Sequence, residues 1–138
     1  MRITLAQLYA ANACLEQVAL FESMFGEEVE VTIDLCIKHA LDFDFMWAIH
    51  NLLSEKAMVD SAKARLNALN AIIAARRQAT DDYNNVVKAA KDEDGTILAA
   101  FYTYREARRV ADVNYRKAIA IAFADALAFD ERQQNGDK

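Results

Sequence analysis

The stretches ARRQATDDY, residues 75–83, and ARRVADVNY, residues 107–115, repeat one pattern, Ala-Arg-Arg-x-Ala-x-x-x-Tyr. If the chain turns back between the two copies, Arg76 of the first copy comes opposite Asp112 of the second. Ion pairs between facing positions are one way in which paired helices select their register. The repeat therefore predicts an antiparallel helical hairpin.

The same pairing makes the interaction between the copies reciprocal. Arg108 and Arg109 come within one helical turn of Asp81 and Asp82. Exposed pairs of this kind contribute about 0.2–1 kcal/mol each, so they would set the register more than the stability. Alanine-rich helices also produce such matches by chance, so compositional bias is the alternative explanation of the repeat.

Apolar residues on the two expected helices also face each other in this register. The facing pairs are Val87 with Phe101, Ala90 with Leu98, Ile73 with Tyr115, Leu69 with Ile119, Leu66 with Ala122, and Met58 with Phe129. Alanine along such a contact lets helix backbones approach closely. These matching stripes support the hairpin more strongly than the repeated motif does.

The composition favours long helices. The chain has 138 residues, no proline and only three glycines, so it has few residues that interrupt helices. We expect an all-α fold in which short N-terminal helices pack on a long antiparallel helical hairpin, like a bundle. The expected organisation is a single domain, 1–138, with an acidic helical head at 1–54, a hairpin at 55–131 turning near 92–96, and a flexible tail at 132–138.

Capping residues mark the expected start of the first helix. Thr4 and Gln7 have the spacing of a capping box, which predicts a helix from about residue 5. The apolar periodicity continues to Phe25, and Gly26 is a natural C-terminal stop. We therefore predict one helix over this whole segment.

The segment EVEVTI, residues 28–33, alternates like a strand but has no evident partner. We favour Thr32 as the cap of a second helix, with Asp34 in its first turn. Ser54 is expected to cap a third segment that continues without a break for about 37 residues, to the turn at Gly95.

Acidic side chains are concentrated towards the N-terminus. Residues 1–60 contain three basic and ten acidic residues, whereas the whole chain has a formal net charge of -5. An acidic surface repels nucleic acid and attracts basic proteins, so we expect no direct nucleic-acid binding. The candidate partner-binding residues are Glu27, Glu28, Glu30, Asp34, Asp42 and Asp44. A solvated acidic face without a partner is the alternative.

Motifs for catalysis are absent from the sequence. It contains no glycine-rich phosphate loop, no G-x-S-x-G and no H-E-x-x-H, so we expect neither enzymatic activity nor a cofactor. Cys14, Cys36, His39 and His50 could form a Cys2His2 zinc site, although buried reduced thiols are the simpler interpretation. No apolar run approaches the length of a membrane span, so we expect a soluble intracellular protein.

Residues 13–54, ACLEQVALFESMFGEEVEVTIDLCIKHALDFDFMWAIHNLLS, resemble a group of small phage-encoded proteins. In that group a block of the type AC..QV..F...FG..VEVT...C..HA..FD..WA..NLLS precedes a variable array of alanine- and tyrosine-rich helical repeats. This chain differs in having few and degenerate repeats. The resemblance implies phage origin and the host bacterial cytoplasm, and it supplies no catalytic residues.

Two functions follow as expectations. The first is a non-enzymatic inhibitor that binds a host defence protein or ribonucleoprotein complex through the acidic face, as an anti-CRISPR protein does. The second is a structural or assembly protein whose hairpin self-associates, for example as a homodimer, through apolar surface that includes Tyr102, Tyr104 and Phe123. A zinc-dependent regulator is a third, minor alternative.

Overall fold

The computed structural model of the chain describes residues 1–91 and 95–136. Within them the fold is an all-α, bundle-like arrangement with one small sheet, which confirms the expected fold class. The elements in chain order are β1 (Arg2–Thr4), α1 (Leu5–Ala10), α2 (Leu15–Phe25), β2 (Glu28–Glu30), α3 (Ile33–Lys38), α4 (Phe45–Leu52), α5 (Glu55–Asp60), α6 (Ala62–Ala89) and α7 (Thr96–Gly136).

The two longest helices, α6 and α7, pack against each other as an antiparallel hairpin. The buried residues of α6 are Ala68, Ile72 and Ala79, and together with half-buried Arg76 they are three or four positions apart, as in a two-stranded coiled coil. Gly95, at a φ of 66°, precedes α7 and is conformationally suited to the end of a turn. The rest of the turn expected near 92–96 falls on residues 92–94, which lie outside the described residues.

Only one of the two ion-pair contacts predicted between the copies of the repeat is present: an arginine of the first copy pairs with an acid of the second, but not the reverse. Arg76 Nη2 donates to Asp112 Oδ1 at 2.5 Å across the two helices, as the sequence predicts. Arg108 instead donates to the hydroxyl of Tyr104 at 2.6 Å on its own helix, and this bond lowers the pKa of the Tyr104 phenol. Arg109 likewise bonds Glu106 of α7, at 2.7 Å and 2.9 Å.

The expected reciprocal pairs of Arg108 and Arg109 with Asp81 and Asp82 are therefore wrong. Asp82 instead accepts a hydrogen bond from Gln78 Nε2 at 2.7 Å on its own helix. Partners three or four residues away on one helix are always within reach, whereas partners on the facing helix depend on register. Local partners have prevailed over the reciprocal pairing here.

The apolar stripe assigned to the hairpin contact is also wrong on α6. Leu66, Leu69 and Ile73 are 56%, 44% and 45% exposed, whereas their neighbours Ala68 and Ile72 are buried. The helix is rotated by about one residue, or 100°, relative to the expected contact. Smaller side chains at the contact allow the two backbones to come close, and the larger aliphatic residues remain outside.

The N-terminal helix is shorter than expected. It breaks after Ala10, and Asn12 adopts a φ of 58°, a conformation that asparagine tolerates better than most residues. The capping box of Thr4 and Gln7 is present as predicted. The chain restarts as α2 at Leu15 and ends it at Gly26, whose φ is 75°.

The alternating segment forms a strand, which corrects the expectation that it has no partner. β2 pairs antiparallel with β1, with Ile3 opposite Val29 and Arg2 opposite Glu30. Val31 extends the pairing by donating its N–H to Met1 O at 2.7 Å. Thr32 then caps α3 as predicted, accepting from the N–H of Leu35 at 3.1 Å.

The segment predicted as one long helix after Ser54 is divided at Ser61. The hydroxyl of Ser61 donates to Met58 O at 2.7 Å, and Arg65 donates to Ser61 Oγ and Met58 O, both at 3.1 Å. Serine bonds to the preceding turn compete with the backbone ladder and bend helices. These contacts explain why α5 and α6 are separate elements.

Helix α7 continues further than the sequence suggested. It reaches Gly136, so residues 132–136, which were expected to form a flexible tail, are helical, and residues 137–138 lie outside the described residues. The absence of proline and glycine between Gly95 and Gly136 allows this length.

The main core lies where the short N-terminal helices cover the second half of α7. Phe45 of α4 packs on Phe123 of α7 with ring centroids 5.6 Å apart, and Ile49 and Ala120 are fully buried. The same hydrophobic cluster includes residues of β1, α2 and α3. The head therefore packs on one end of the hairpin, and at the other end α6 packs against α7.

Candidate functional site

Two of the six candidate acids are paired within the small sheet. Arg2 donates to Glu28 Oε1 at 2.9 Å, and its Nε lies 3.5 Å from Glu30 Oε2. The N-terminal ammonium of Met1 also bonds Glu30, and this bond lowers the pKa of the Glu30 carboxyl. These two carboxylates are therefore partly neutralised by the chain itself.

Two further candidates have structural roles beside α4. Asp42 Oδ2 lies 2.8 Å from His39 Nδ1, and Asp44 accepts from the N–H of Trp47 at 2.9 Å as the cap of α4. Caps and local pairs are common roles for exposed aspartates. Neither carboxylate needs a partner protein to explain its position.

Glu27 and Asp34 are the remaining candidates. Both side chains are exposed, and within residues 1–91 and 95–136 no ion pair engages either of them. Asp34 lies in the first turn of α3, where a negative charge favours the helix dipole. The six acids thus lie on one end of the molecule, but they do not form one unpaired anionic surface.

The proposed zinc ligands do not come together. Across the described part of the chain, no three histidine, cysteine or acidic side chains are placed to hold a metal ion. Cys14 is exposed at the start of α2, whereas Cys36 is buried, and burial raises the pKa of its thiol to about 11. Cys36 therefore behaves as a small apolar core residue.

The head contains an apolar cavity of about 90 Å³, which we call the head pocket. Its walls come from every element between β1 and α4 and from α7, and it is partly open to solvent. Aromatic rings form much of the lining: Phe21, Phe25, Phe43, Phe45, Trp47 and Phe123.

Polar side chains are confined to a few positions of this lining. Gln17 of α2 donates to Asp42 O at 3.2 Å and accepts from the N–H of Asp44 at 3.1 Å. It thereby fixes the segment between α3 and α4, which carries Phe43. His39 of the same segment lines the pocket and packs edge-on against Phe25 at 5.3 Å.

The head pocket has room for more than one water molecule, since its volume of about 90 Å³ exceeds the roughly 10–15 Å³ that a single water needs. Native interiors contain few voids larger than a water molecule. The head pocket is therefore a departure from ordinary core packing.

A second apolar feature lies on the outside of α5 and α6. Val59, Leu66, Leu69 and Ile73 are between 44% and 62% exposed. Together with exposed Ala62 they repeat every three and four residues, the spacing of a helix that packs on another helix. We call Val59, Ala62, Leu66, Leu69 and Ile73 the outer stripe.

Aromatic residues cluster at the end of the hairpin that lies away from the head. Tyr83 packs on Tyr104 at 5.5 Å and on Phe101 at 6.4 Å, across the two helices. Tyr102 is 58% exposed. Phe123, which was expected to be part of this surface, is instead buried in the head core, so that expectation is wrong.

Sequence reasoning missed both apolar features for identifiable reasons. The outer stripe has helix-packing periodicity, but the sequence assigned it to the contact inside the hairpin. The head pocket depends on residues brought together from seven elements, and the only local signal was the density of aromatic residues after Asp42.

Within residues 1–91 and 95–136, none of the helices combines the length and apolar character needed to cross a membrane. No protein-family model, curated protein or solved structure matches the chain. The functional proposal therefore depends on the geometry of the chain.

Proposed function

We propose that this protein is a non-enzymatic assembly protein that self-associates through its helical hairpin. The observation that carries the proposal is the outer stripe, in which four large aliphatic side chains stand exposed at helix-packing spacing. Contiguous apolar surface on a folded chain marks an interaction site more often than single exposed residues do. A second copy of the same helix is the occupant that we propose.

The outer stripe is self-complementary in an antiparallel arrangement. If two copies pair about the midpoint between Leu66 and Leu69, each Leu66 packs on Leu69 of the other copy. The small Ala62 then meets the larger Ile73, which keeps the spacing between the helices even. Such an arrangement is two-fold symmetric and closes as a dimer.

Charges at the two ends of the stripe favour this orientation. Glu55 and Asp60 lie at its N-terminal end and Arg77 at its C-terminal end, and all three are exposed. Antiparallel pairing brings the acids of one copy within about one turn of Arg77 of the other. Charges placed in this way select orientation and register more than they add affinity.

A contact made by a single helix face lies at the small end of specific interfaces, so we expect a micromolar dissociation constant. Light scattering coupled to size exclusion, with protein at about 10 to 500 µM, should show a mass that rises from monomer to dimer. A mass that stays at the monomer throughout, or that continues beyond the dimer, contradicts the proposal.

Substitutions on two faces of α6 separate a specific interface from general surface effects. Leu66→Glu with Leu69→Glu should abolish dimerisation, because it places charges in the centre of the proposed contact. The matched control, Asn67→Glu with Ala71→Glu, adds the same charges to exposed positions off the stripe and should dimerise normally. Equal behaviour of the two double variants would falsify the assignment of the interface.

The ionic contact has its own test. Arg77→Glu should weaken the dimer, because it opposes like charges at both ends of the stripe. Adding Glu55→Arg to that variant should restore dimerisation if the antiparallel register is correct. Failure of the second substitution to rescue the first rejects this register.

A second candidate function is the inhibition of a host defence complex from within the bacterial cytoplasm. Its support is that Glu27 and Asp34 remain exposed without an ion pair among the described residues, on an end of the molecule where acids outnumber basic residues. The proposed partner is a basic host protein or ribonucleoprotein, bound without direct contact to nucleic acid.

A plasmid-interference assay in a host with an active CRISPR system tests this candidate. The protein should restore plasmid establishment, and Glu27→Lys with Asp34→Lys should abolish the effect. Asp81→Lys with Asp82→Lys, on the hairpin, serves as the control and should leave the effect intact. Unrelieved interference, or relief that survives the head substitutions, counts against it.

A further inference from the structure

We propose that the head pocket is a binding site for a small neutral molecule that presents one apolar ring. The proposal is independent of the outer stripe, because the residues of the pocket lie in the head and on the second half of α7. Neither the hairpin contact nor the acidic residues account for an apolar cavity of about 90 Å³ at this place.

The aromatic lining of the pocket suits an apolar ring. Phe25 and Phe43 are stacked at an interplanar angle of 28° with centroids 5.9 Å apart, and Phe21 packs edge-on against Phe25 at 5.3 Å. Aromatic rings arranged in this way offer faces and edges to a further ring. Ligand sites in proteins are mostly lined by such apolar and aromatic groups.

The polar groups of the pocket indicate that the ligand carries no charge. Both polar atoms of the Gln17 side chain are engaged with the segment between α3 and α4. Asp44 Oδ1 is engaged as a helix cap, and His39 Nδ1 is bonded to Asp42. Among residues 1–91 and 95–136, no Lys or Arg lines the pocket to neutralise an anion. A charged ligand would lose its hydration without a compensating partner.

The pocket is also held open by its surroundings. Gln17 ties α2 to the backbone on both sides of Phe43, through Asp42 O and the N–H of Asp44. His39, bonded to Asp42, packs against Phe25 on the same side. These contacts fix the ring of Phe43 in the wall and oppose collapse of the cavity, as preorganised sites require.

Benzene and indole are suitable probes, with cyclohexane as an apolar ligand that lacks a π system. In a two-dimensional amide NMR titration we expect saturable shifts at residues around the pocket, such as Gln17, Phe43 and Trp47. Residues at the far end of the hairpin, such as Tyr102, should not shift. The absence of saturable shifts with all three probes overturns the proposal.

Filling the cavity provides the decisive comparison. Ala48 lies in the wall and is buried, so Ala48→Leu should weaken binding by about tenfold or more by occupying the space. Ala13 is half-buried and also lines the pocket, so Ala13→Leu should likewise fill it and weaken binding. This variant serves as the test if Ala48→Leu fails to fold. Ala19→Leu, on the exposed face of α2, is the matched control and should bind as the unaltered protein does.

Three outcomes are informative. Binding that is lost in a folded filling variant and retained in Ala19→Leu supports the site. Equal binding in the filling variants and the control means that the probe binds elsewhere and overturns the proposal. Dimerisation measured on the same samples reports separately on the outer stripe, so failure of either proposal can be distinguished from failure of the other.

Discussion

Among single residues, Asp130 makes the most consequential polar contact between the head and the hairpin. It is only 8% exposed, and it accepts from the N–H of Ser54 at 2.7 Å and from the Ser54 hydroxyl. Ser54 Oγ in turn accepts from the N–H of Ala57 at 3.1 Å, which caps α5. One carboxylate thus positions the start of the hairpin against the end of α7.

Removal of this carboxylate should be costly. We expect Asp130→Ala to reduce the free energy of unfolding by about 1–3 kcal/mol, because the N–H and hydroxyl of Ser54 lose their acceptor in a partly buried place. Urea denaturation of the monomeric protein measures the change. Asp125→Ala, at an exposed position of the same helix, should change stability by less than about 0.5 kcal/mol, and a similar loss in both variants would show that the contact is unimportant.

The two cysteines should differ sharply in reactivity. Cys14 is exposed, whereas Cys36 is buried and burial raises the pKa of its thiol to about 11, so it stays protonated at pH 8. Since the thiolate is the nucleophile, we expect iodoacetamide at pH 8 to modify Cys14 at least about 100-fold faster. Mass spectrometry of timed samples measures the ratio, and comparable rates without denaturant would mean that the core around Cys36 opens readily.

Single-residue signals were the most predictable part of the structure. The caps at Thr4, Thr32 and Ser54 lie where the sequence placed them, because each depends on a side chain and a backbone N–H only three residues away. The contact of Ser54 with Asp130 was not predictable, since it joins residues far apart in the chain. The same distance hid the bonds of Gln17 in the head pocket.

At the scale of elements, α6 carries two apolar stripes side by side, one facing α7 and one exposed. Two adjacent isoleucines belong one to each stripe. Ile72 is 7% exposed and faces α7, whereas Ile73 is 45% exposed and belongs to the outer stripe. We expect Ile72→Ala to cost about 2–5 kcal/mol of unfolding free energy. Ile73→Ala should cost less than about 1 kcal/mol in the monomer and should instead weaken dimerisation.

Urea denaturation at low protein concentration, together with light scattering at high concentration, measures both effects. The two substitutions delete the same atoms from neighbouring positions, so each serves as the control for the other. If Ile73→Ala proved the more destabilising change in the monomer, the rotation of α6 described above would be wrong.

This rotation shows a general limit on predicting a helical hairpin from its sequence. Both stripes of α6 have helical spacings, so periodicity alone does not decide which one meets α7. Large aliphatic side chains favoured the outer stripe as the contact, whereas the fold buries Ala68 and Ala79 together with Ile72, and the alanines permit closer backbones. Pairing between Arg76 and Asp112 was predicted correctly because it tolerates such a rotation at the edge of the contact.

The sheet was missed for a different reason. β1 and β2 are three residues each, too short to give a distinctive pattern, and they are separated by two helices. Strand pairing gives hydrogen-bond partners to backbone N–H and C=O groups that have none nearby in the sequence, so it depends on the tertiary fold. It also explains why Glu28 and Glu30, expected to bind a partner, are paired with Arg2 and the N-terminal ammonium of Met1 instead.

For the whole molecule, packing is uneven along the hairpin. The helices α3, α4 and α5 pack on α7, whose buried residues lie between Ala111 and Asp130. In the described residues 76–90 and 97–110, Ala79 is the one buried residue. Segments with fewer buried apolar contacts open at lower free energy. We therefore expect amide hydrogens of residues 76–90 and 97–110 to exchange faster than those of residues 115–130.

Hydrogen exchange with mass spectrometry, on dilute protein, measures this gradient. Uniform protection along α7 would mean that the aromatic contacts of Tyr83 stabilise the far end more than the low burial of that end indicates.

The fold class and the hairpin were predictable because they follow from long-range helical periodicity. The difference between a covered and an uncovered half was not, because it depends on where the head docks.

The docking of the head on α7 has a consequence for synthesis. The aromatic rings of the head are covered by Ile119, Ala120 and Phe123, which the ribosome makes long after residues 1–54 have emerged. During that interval the nascent head lacks the surface of α7 that covers these rings, so chaperones and proteases have access to them. A helix translated well after the head thus completes the core of the head.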